Sequence, residues 1–420
     1  MQTLGLRKKP FTLFCHRSFE FMVTVEAAQR LINKETLQLE TEEVKIANAL
    51  GRILGEDLYA DLDFPSYDSI RMDGIAINFA AFESGRRTFK IEKLNAAGMP
   101  QATLENSENC IEIMTGAVCP INADTNIRYE DLKIENGNAT IQIINITKGQ
   151  NIHRKGKNRK QGDLIIPKGR RITAAEIGVA ATIGKPSLKV IKPPKIAVVS
   201  SGDELVEVAQ NPKPHQKRRS NPFACQAQLA AMNISSDLFH LIDDEASIHE
   251  NLAKILDEYD VVILSGGVSM GKFDLIPKGL ERLGVEKSFY KVYQRPGKPF
   301  WFGTHKAKNV KVFAFPGNPV SIFVGMEAYL LPWLRRQMGM NIKTYPKVVL
   351  AEEVNFKPDL LHYMQVHLET DDQGRTLAFP RKGKGSGDHA NLADVSGFII
   401  LPRGKDVFEV GECFELIRFR

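Results

Sequence analysis

Hydrophobic and polar residues alternate differently along successive parts of the chain, and this predicts several domains. Between residues 195 and 339, apolar runs of strand length such as KIAVVSS and DVVILS alternate with stretches whose apolar residues recur at helical spacing. This order is the βαβ signature of a parallel sheet covered by helices on both faces. We therefore predict a central, doubly wound α/β domain.

The flanking residues predict β-rich and helical segments. Residues 63–147 carry short β-branched runs with a hairpin turn at residues 136–138, and residues 340–420 carry strand-length runs that predict a small β-barrel or sandwich. The pattern is helical at residues 25–53, with Thr41 as a candidate N-cap, and again at residues 171–184. The predicted α/β multidomain chain therefore has an N-terminal extension (1–21, expected to be disordered), helical linker segments (22–62 and 148–190), a β-rich insertion domain (63–147), the α/β domain (191–339) and a C-terminal β-barrel domain (340–420).

Composition narrows the class of protein. The chain has 420 residues, of which 43% are hydrophobic and 25% charged, with no run near the roughly 20 apolar residues that cross a bilayer. Five scattered cysteines without a C-x-x-C pair argue against a disulfide framework, so we expect a soluble, cytoplasmic protein. The net charge of +6 suits an anionic ligand, but it is too small to indicate nucleic-acid binding. The basic stretch at residues 213–219 lacks aromatic residues and is interpreted as a solvated loop.

Three loops that follow strands of the α/β domain are predicted to meet. They read SSGDE, SGGVSMG and FPGNPVS, and ligands of such sheets bind outside the carboxyl ends of the strands. Without a Cβ atom, Gly266 and Gly267 would let an anion approach their N–H groups, although the same glycines fit a plain strand-to-helix connection. Motifs of zinc proteases, α/β-hydrolases and P-loop NTPases do not occur in the sequence.

Charged residues near these loops have two interpretations each. Asp203 and Asp274 could hold a hydrated divalent cation against substrate phosphates, or they could cap helices. Lys291, Arg295 and Lys298 could clamp a phosphate or a molybdate-like oxyanion, or they could form a surface charge cluster.

A series of motifs in a fixed order resembles one enzyme family. From about Val23 onwards the chain contains ALGRILGEDL, MDG, EIMTGAVCPINAD, KGRRITAAEIGVAATIG, SSGDEL, SNPF, SGGVSMGKFD, RPGKP, FPGNPVS and GSGDHANLADVSGFIILP. Each motif alone is weak, but the ordered series is highly specific. The chain resembles the MoeA-type molybdopterin molybdenumtransferases, whose eukaryotic relatives include the E domain of gephyrin.

The resemblance implies a transferase of molybdenum cofactor biosynthesis that inserts molybdate into adenylylated molybdopterin and releases AMP. It also implies a Mg²⁺ ion, an elongated homodimer and a molybdopterin adenylyltransferase as a candidate partner, with neither nucleic acid nor membrane. The catalytic residues by this match are Asp73, Asp124, Asp203 and Asp274, of which Asp203 and Asp274 bind the metal. The implied substrate-binding residues are Thr115, Gly116, Ser201, Gly202, Glu204, Asn221, Ser265, Gly266, Gly267, Ser269, Lys291, Arg295, Pro296, Gly297, Lys298, Pro316, Gly317, Asn318, Pro319 and Ser386.

Several positions depart from the family pattern and are expected in loops that face the reacting end. Lys157-Asn158 stand where the family has Glu-Asp, which replaces negative charge with positive charge beside a dianionic substrate. The other departures are Ile70-Arg71 for Ser-Ala, Ile75 for Tyr, Lys272 for an acidic or polar residue and Gln365 for Arg. The alternative hypothesis is a catalytically impaired paralogue that binds molybdopterin precursors or scaffolds partner proteins.

Overall fold

The computed structural model describes residues 22–267, 275–340 and 344–420. The chain forms two compact units, of which one comprises Thr41–Val190 and the other combines the segment up to Glu40 with Ile191–Arg420. The expected N-terminal extension at residues 1–21 lies outside the described residues.

The first helix is shorter than the sequence pattern predicts. Helix α1 (Val25–Lys34) begins at Thr24, whose side chain accepts a hydrogen bond from the backbone N–H of Ala27 at 3.2 Å. The predicted continuation to residue 53 is wrong, because Thr41 starts strand β1 (Thr41–Lys45) and does not cap a helix. Strand β1 pairs with a strand more than 140 residues later, and such a pairing overrides the local helical pattern.

The unit of residues 41–190 is built mainly from strands. Its large sheet has the order β7-β4-β6-β5-β9-β8, and Asn136 and Gly137 form the predicted hairpin turn between β8 and β9. The predicted helix at residues 171–184 is confirmed as α3, which Thr173 and Glu176 cap reciprocally. After β1, the elements are β2 (Leu58–Tyr59), β3 (Ser69–Ile70), β4 (Gly74–Ile77), α2 (Phe79–Glu83), β5 (Thr88–Asn95), β6 (Cys110–Ile113), β7 (Thr125–Arg128), β8 (Leu132–Glu135), β9 (Asn138–Ile141), β10 (Ile152–His153), β11 (Leu164–Ile166), α3 (Ala174–Thr182) and β12 (Ser187–Ile191).

Two of the departures from the family pattern belong to hydrophobic cores. Ile70 on β3 and Ile75 on β4 are 2% and 0% exposed, and each packs in an apolar cluster. The expectation that they lie in loops facing the reacting end is therefore wrong. Their apolar side chains stabilise the unit through burial, which accounts for them without a role in chemistry.

The α/β domain has the predicted doubly wound topology. Its sheet has the order β16-β13-β17-β21-β20-β18, in which the first four strands are parallel and β20 runs antiparallel to both of its neighbours, β21 and β18. Side chains of α5 and α6 pack on the face that includes Val199 and Leu264, while α4 packs against α7. The elements are β13 (Ile196–Ser201), β14 (Leu205–Val206), β15 (Lys217–Arg218), α4 (Asn221–Ala230), β16 (Ser236–Leu241), α5 (Glu245–Glu258), β17 (Val261–Ser265), α6 (Leu275–Arg282), β18 (Glu286–Tyr290), β19 (Gln294–Arg295), β20 (Trp301–His305), β21 (Val310–Phe315), α7 (Pro319–Gly325), a π-helical turn (Met326–Leu330) and α8 (Leu331–Gln337).

The C-terminal residues form the predicted β-barrel. Five strands pair in the order β24-β25-β22-β28-β26, and β26 pairs back with β24 to close the barrel. The strands of this region are β22 (Lys347–Leu350), β23 (Val354–Asn355), β24 (Leu361–Thr370), β25 (Thr376–Pro380), β26 (Gly397–Leu401), β27 (Val407–Phe408) and β28 (Cys413–Arg418). Across the described ranges of the whole chain, no helix combines the length and apolarity needed to cross a bilayer.

A buried ion pair attaches the N-terminal segment to the α/β sheet. Lys311 on β21 is 2% exposed, and its ammonium group lies 3.2 Å from a carboxylate oxygen of Glu35 and 2.7 Å from Oδ1 of Asn309. The backbone carbonyl of Glu35 also accepts a hydrogen bond from the indole N–H of Trp333 at 2.9 Å. The ion pair and this hydrogen bond together fix the residues after α1 against the domain.

We predict that Glu35→Ala destabilises the protein by about 3 kcal/mol, because it leaves the Lys311 ammonium buried without its counter-charge. Lys311→Met fills the same space with an apolar side chain and should change stability by no more than about 1 kcal/mol. Urea unfolding of both variants and of the double variant measures these effects. Equal losses for Glu35→Ala in the wild-type and Lys311→Met backgrounds would contradict the coupling.

Candidate functional site

A crevice lies at the carboxyl edge of the parallel strands. It has a volume of about 720 Å³ and lies where connections leave β13 and β17 in opposite directions along the sheet. This position is the topological switch point, the usual ligand site of open α/β sheets. We call it the switch-point crevice. The structure brings the three predicted loops together in its wall, which includes Ser201, Gly202, Glu204, Asn221, Ser265, Gly266, Gly267, Pro316, Gly317, Asn318 and Pro319.

Asn221, the first residue of α4, connects these loops. Its side chain is 9% exposed, and its Nδ2 donates hydrogen bonds to Oγ of Ser265 at 2.9 Å and to the carbonyl of Gly317 at 2.8 Å. Its Oδ1 is buried and has no hydrogen-bond partner among the described residues. These two donated hydrogen bonds orient the amide and tie the start of α4 to the loops that follow β17 and β21.

The glycine turn after β17 is accounted for by the packing of the protein itself. Gly266 and Gly267 have φ angles of 100° and 66°, and the N–H of Gly266 already donates to the carbonyl of Phe315 at 3.1 Å. A Cβ atom at position 267 would approach Oγ of Ser201 to 2.8 Å. Of the two interpretations, the strand-to-helix connection therefore explains both glycines, and the Gly266 N–H is not available to an anion.

Basic residues that the sequence analysis assigned to a solvated loop also line the crevice. Lys217, Arg218 and Arg219 stand in its wall, and the Arg219 guanidinium lies 3.0 Å from the carboxylate of Glu207. These three residues directly precede the SNPF motif, and that position was the sequence feature that could have indicated their place in the crevice wall. Lys217 and Arg218 are exposed, as the interpretation of a solvated segment requires, but they form β15, and the side chain of Arg219 is only 12% exposed.

Of the described acidic residues, two line the crevice and a third lies beside it. Glu204 and Asp243 line the crevice, whereas Asp203 is exposed beside it and accepts a hydrogen bond from the backbone N–H of Asp243 at 3.0 Å. Asp274, Ser269 and Lys272 lie outside the described residues. Within the described ranges, no three His, Cys, Asp or Glu side chains are grouped closely enough to hold a metal ion.

A second cavity of about 550 Å³ adjoins the crevice, and Pro299, Pro316 and Asn318 line both. We call it the cationic cavity, because among the described residues four basic side chains line it and no Asp or Glu does. The basic residues are Arg295 and Lys298 from the segment between β19 and β20, and Arg381 and Lys382 from the segment after β25. Of the predicted site residues, Arg295, Pro296, Gly297, Lys298, Pro316, Asn318 and Ser386 line this cavity.

The segment that carries Arg295 and Lys298 is held by one buried amide. Gln294 is 1% exposed, its Nε2 donates to the carbonyls of Pro296 and Gly297 at 3.1 Å each, and its Oε1 accepts from the hydroxyl of Tyr329. Lys291, which the sequence analysis grouped with these cations, lines neither cavity, and its ammonium lies 4.8 Å from the centre of the Tyr290 ring.

His362 is a neutral, partly buried wall of the cationic cavity. Its ring stacks on Phe356 with the centroids 4.1 Å apart. Burial, followed by the positive charge of Arg295, lowers the pKa of His362 to about 4. At neutral pH the imidazole is therefore uncharged, and the positive charge of the cavity comes from the four basic side chains.

The predicted site residues Asp73 and Asp124 belong to the Thr41–Val190 unit and lie at opposite ends of β4. The backbone N–H of Thr115 donates to Oδ1 of Asp73 at 2.6 Å, and hydrogen bonds from Thr115 lower the pKa of Asp73. Asp73 precedes β4, whereas Asp124 hydrogen-bonds at the far end of that strand, where it accepts from the backbone N–H of Phe79 at 2.8 Å. A four-residue strand separates them by roughly 13 Å, so the two aspartates do not form a carboxylate pair.

The loop that carries Lys157 and Asn158 is exposed, and backbone hydrogen bonds fix its conformation. The backbone N–H of Asn158 donates to the carbonyl of Phe64 at 2.9 Å, and Asp68 accepts from the N–H of Lys155 at 2.7 Å. The side chain of Lys157 is exposed. The conformation of the loop therefore does not depend on the side chain at position 157.

Comparison with known proteins agrees with this architecture. Residues 23–184 match the MoeA N-terminal region (domains I and II), residues 197–336 a probable molybdopterin-binding domain, and residues 347–419 the MoeA C-terminal region (domain IV). A molybdopterin molybdenumtransferase of Synechocystis sp. is 35% identical over 94% of this chain and 99% of its own length. One from Staphylococcus epidermidis is 30% identical over 94% of this chain and 95% of its own.

Solved structures show the same fold along the whole described chain. Two structures of the moeA molybdopterin biosynthesis protein from Pyrococcus horikoshii each cover 95% of this chain and 100% of their own, with a TM-score of 0.82 and identities of 28% and 23%. Fold and crevice together define a multidomain enzyme built around an α/β ligand-binding domain. The chain belongs to the MoeA family of molybdopterin molybdenumtransferases, the transferases of molybdenum cofactor biosynthesis.

We predict that His362 makes stability fall as the solution is acidified. The unfolded state takes up the proton near the ordinary pKa of 6.5, whereas the folded state resists it until about pH 4, so stability falls with pH across this window. Between pH 7 and pH 5 this contributes a loss of about 2 kcal/mol. His362→Phe keeps the stacking on Phe356 and should lack this loss in urea unfolding at the two pH values. An unchanged pH dependence in this variant would contradict the neutral state of His362.

Proposed function

We propose that this protein inserts molybdate into adenylylated molybdopterin and releases AMP. The observation that carries the proposal is the pair of adjoining cavities, of which one lies at the switch point of the sheet and the other is lined, within the described ranges, by cations without acids. A substrate with a nucleotide end and a reacting oxyanion needs two neighbouring sites of this kind. Membership of the family supports the reaction, and it favours the enzyme over an impaired paralogue.

In this proposal the switch-point crevice takes the nucleotide end. Asn221 holds that wall together through its bonds to Ser265 and Gly317, and Lys217, Arg218 and Arg219 line the crevice, where they can offset phosphate charge. The wider binding set is that of the family match, namely Ser201, Gly202, Glu204, Asn221, Ser265, Gly266, Gly267, Ser269 and Pro316 to Pro319. Gly266 takes part through its backbone shape, because its N–H is already bonded.

The cationic cavity takes molybdate in the proposal. Molybdate is a tetrahedral dianion, and Arg295 and Lys298 can attract it from a wall to which the described part of the chain contributes no competing carboxylate. The hydroxyl group of Ser386 and the amide of Asn318 supply neutral hydrogen-bonding groups in the same cavity. Because the two cavities share Pro299, Pro316 and Asn318, the oxyanion would lie beside the bound precursor.

The proposal includes Mg²⁺ at the phosphate end. The carboxylates near the crevice, Asp203, Glu204 and Asp243, are the hard oxygen donors that this ion prefers, and Mg²⁺ commonly binds through one or two carboxylates plus substrate phosphates. The residues present therefore fit the ion, with Asp274 as the second ligand implied by the family match. When bound, the cation would offset the negative charge of the phosphate group.

Further parts of the proposal rest mainly on the family resemblance. They are a catalytic role for Asp73 and Asp124, substrate contacts of Thr115, Gly116 and Lys291, a homodimer, and delivery of the precursor by a molybdopterin adenylyltransferase. A cytoplasmic location suits the four described cysteines, which are free thiols.

Single-turnover AMP release tests the proposed reaction. With adenylylated molybdopterin bound, we expect AMP release that requires molybdate, and Lys298→Met should slow it on the order of 100-fold because a charge next to the oxyanion is lost. Lys384→Met is the control, since Lys384 is exposed and lines neither cavity. Release that needs no molybdate, or equal rates for both variants, would reject the proposal.

Restored nitrate reductase activity in a strain lacking its molybdenumtransferase is the corresponding cellular measurement.

We predict that the double substitution Lys157→Glu and Asn158→Asp increases the Mg²⁺-dependent rate of molybdate insertion, because it restores the negative charge that retains a cation. The affinity for AMP should change by less than about 3-fold, since the nucleotide is assigned to another part of the chain. Single-turnover rates across a Mg²⁺ titration and calorimetric titration with AMP provide the two measurements. Slower release in the double variant would instead show that Lys157 acts as a positive clamp for the oxyanion.

A further inference from the structure

We propose that Arg381 is the anion-selecting residue of the cationic cavity, a role that neither the family motifs nor the sequence analysis assigns to it. This inference rests on the proposed function, in which the cavity takes molybdate. It concerns the segment after β25, which supplies Arg381 and Lys382 to the lining. The other two cations, Arg295 and Lys298, come from a segment about 85 residues earlier in the chain.

The backbone of Arg381 is fixed at the cavity by the neighbouring strand. Its N–H donates to the carbonyl of Gln365 on β24 at 2.8 Å, directly after the pairing of Val366 with Pro380. At the other end of the segment, the carbonyl of Ser386 accepts from the N–H of Val320 at 3.0 Å. These two contacts hold the segment to the barrel and to α7, so the position of Arg381 does not depend on a bound ligand.

A buried amide pair supports the same segment. Gln365 is 9% exposed, and its Oε1 accepts from Nδ2 of Asn391 at 3.0 Å. Gly383 packs on this pair, because a Cβ atom there would lie 3.1 Å from Nδ2 of Asn391 and 3.3 Å from Nε2 of Gln365. The side chain of Gln365 is thus committed to a structural contact, and it brings no charge to the cavity that it lines.

The charge of Arg381 is available to a ligand. Its side chain is exposed and forms no ion pair with any residue in the described ranges, and no acidic residue lines the cavity. A guanidinium group presents two parallel N–H donors to two oxygens of one oxyanion, which an ammonium group cannot do. Arg381 therefore supplies the positive charge that Gln365 does not, from the adjacent strand end.

Calorimetric titration of the full-length protein with molybdate, and with sulfate as a competitor, tests this role. We expect Arg381→Gln to weaken molybdate binding by at least about 10-fold, and Arg381→Lys to recover only part of the loss, because the fork geometry is missing. Lys384→Gln is the matched control, since Lys384 belongs to the same exposed segment but does not line the cavity, and it should change the affinity by less than about 2-fold. Thermal unfolding of each variant monitors the fold.

A second variant examines the relation between positions 365 and 381. In the Arg381→Gln background, Gln365→Arg returns a guanidinium to the same cavity, and we expect it to restore at least half of the lost binding free energy. If molybdate binding stays weak in a folded double variant, a guanidinium at position 365 does not replace the one at position 381, and the equivalence of the two positions is rejected.

The outcomes separate this inference from the function on which it rests. If the unaltered protein does not bind molybdate, the assignment of the cationic cavity in the proposed function fails. If it binds molybdate and Arg381→Gln binds equally well, the proposed function stands and the role of Arg381 is rejected. Equal losses for Arg381→Gln and Lys384→Gln would also reject it, because they would show general attraction by surface charge.

Discussion

The arrangement of the cationic cavity depends on the buried amide of Gln294. This side chain donates to two successive carbonyls of the Arg295–Lys298 segment, and it accepts from Tyr329 in the π-helical turn. Its own strand, β19, pairs with β24 of the barrel, so a single residue connects the α/β domain, the cation-bearing segment and the barrel. A buried amide whose hydrogen bonds are all made is costly to disrupt, because each unpaired group loses its solvation without replacement.

The two cavities differ in charge for reasons that the structure makes visible. The switch-point crevice contains carboxylates as well as cations, which suits a ligand that brings both phosphate and a bridging metal ion. No carboxylate of the described residues lines the cationic cavity, and the imidazole of His362 is neutral at pH 7 because burial and Arg295 lower its pKa. Its positive charge is therefore independent of pH through the physiological range, which is appropriate for holding an oxyanion that remains ionised.

The positions that depart from the family pattern do not form one group. Ile70 and Ile75 fill hydrophobic cores, Gln365 belongs to a buried amide pair, and Lys157 lies on an exposed loop with a backbone fixed by other residues. Of these positions, only Gln365 lines a proposed substrate cavity, and Lys157 places its charge on an exposed loop of the Thr41–Val190 unit. At Gln365, a basic residue on the neighbouring strand end lies in the same cavity, so a change in one position does not by itself remove the charge from the site.

The sequence by itself determined the elements whose signals are local. The alternation of strands and helices predicted the doubly wound sheet, Asn136 and Gly137 predicted the hairpin, and the strand-length runs after residue 340 predicted the barrel. The ordered motifs indicated the family and most of the residues that line the two cavities.

Tertiary structure decided the features that depend on partners distant in the sequence. Thr41 starts a strand because β12 pairs with it, and Lys217 to Arg219 border the crevice because α4 begins beside them. Arg381 reaches the cationic cavity because β25 ends beside β24. The spacing of residues along the chain does not predict this pairing.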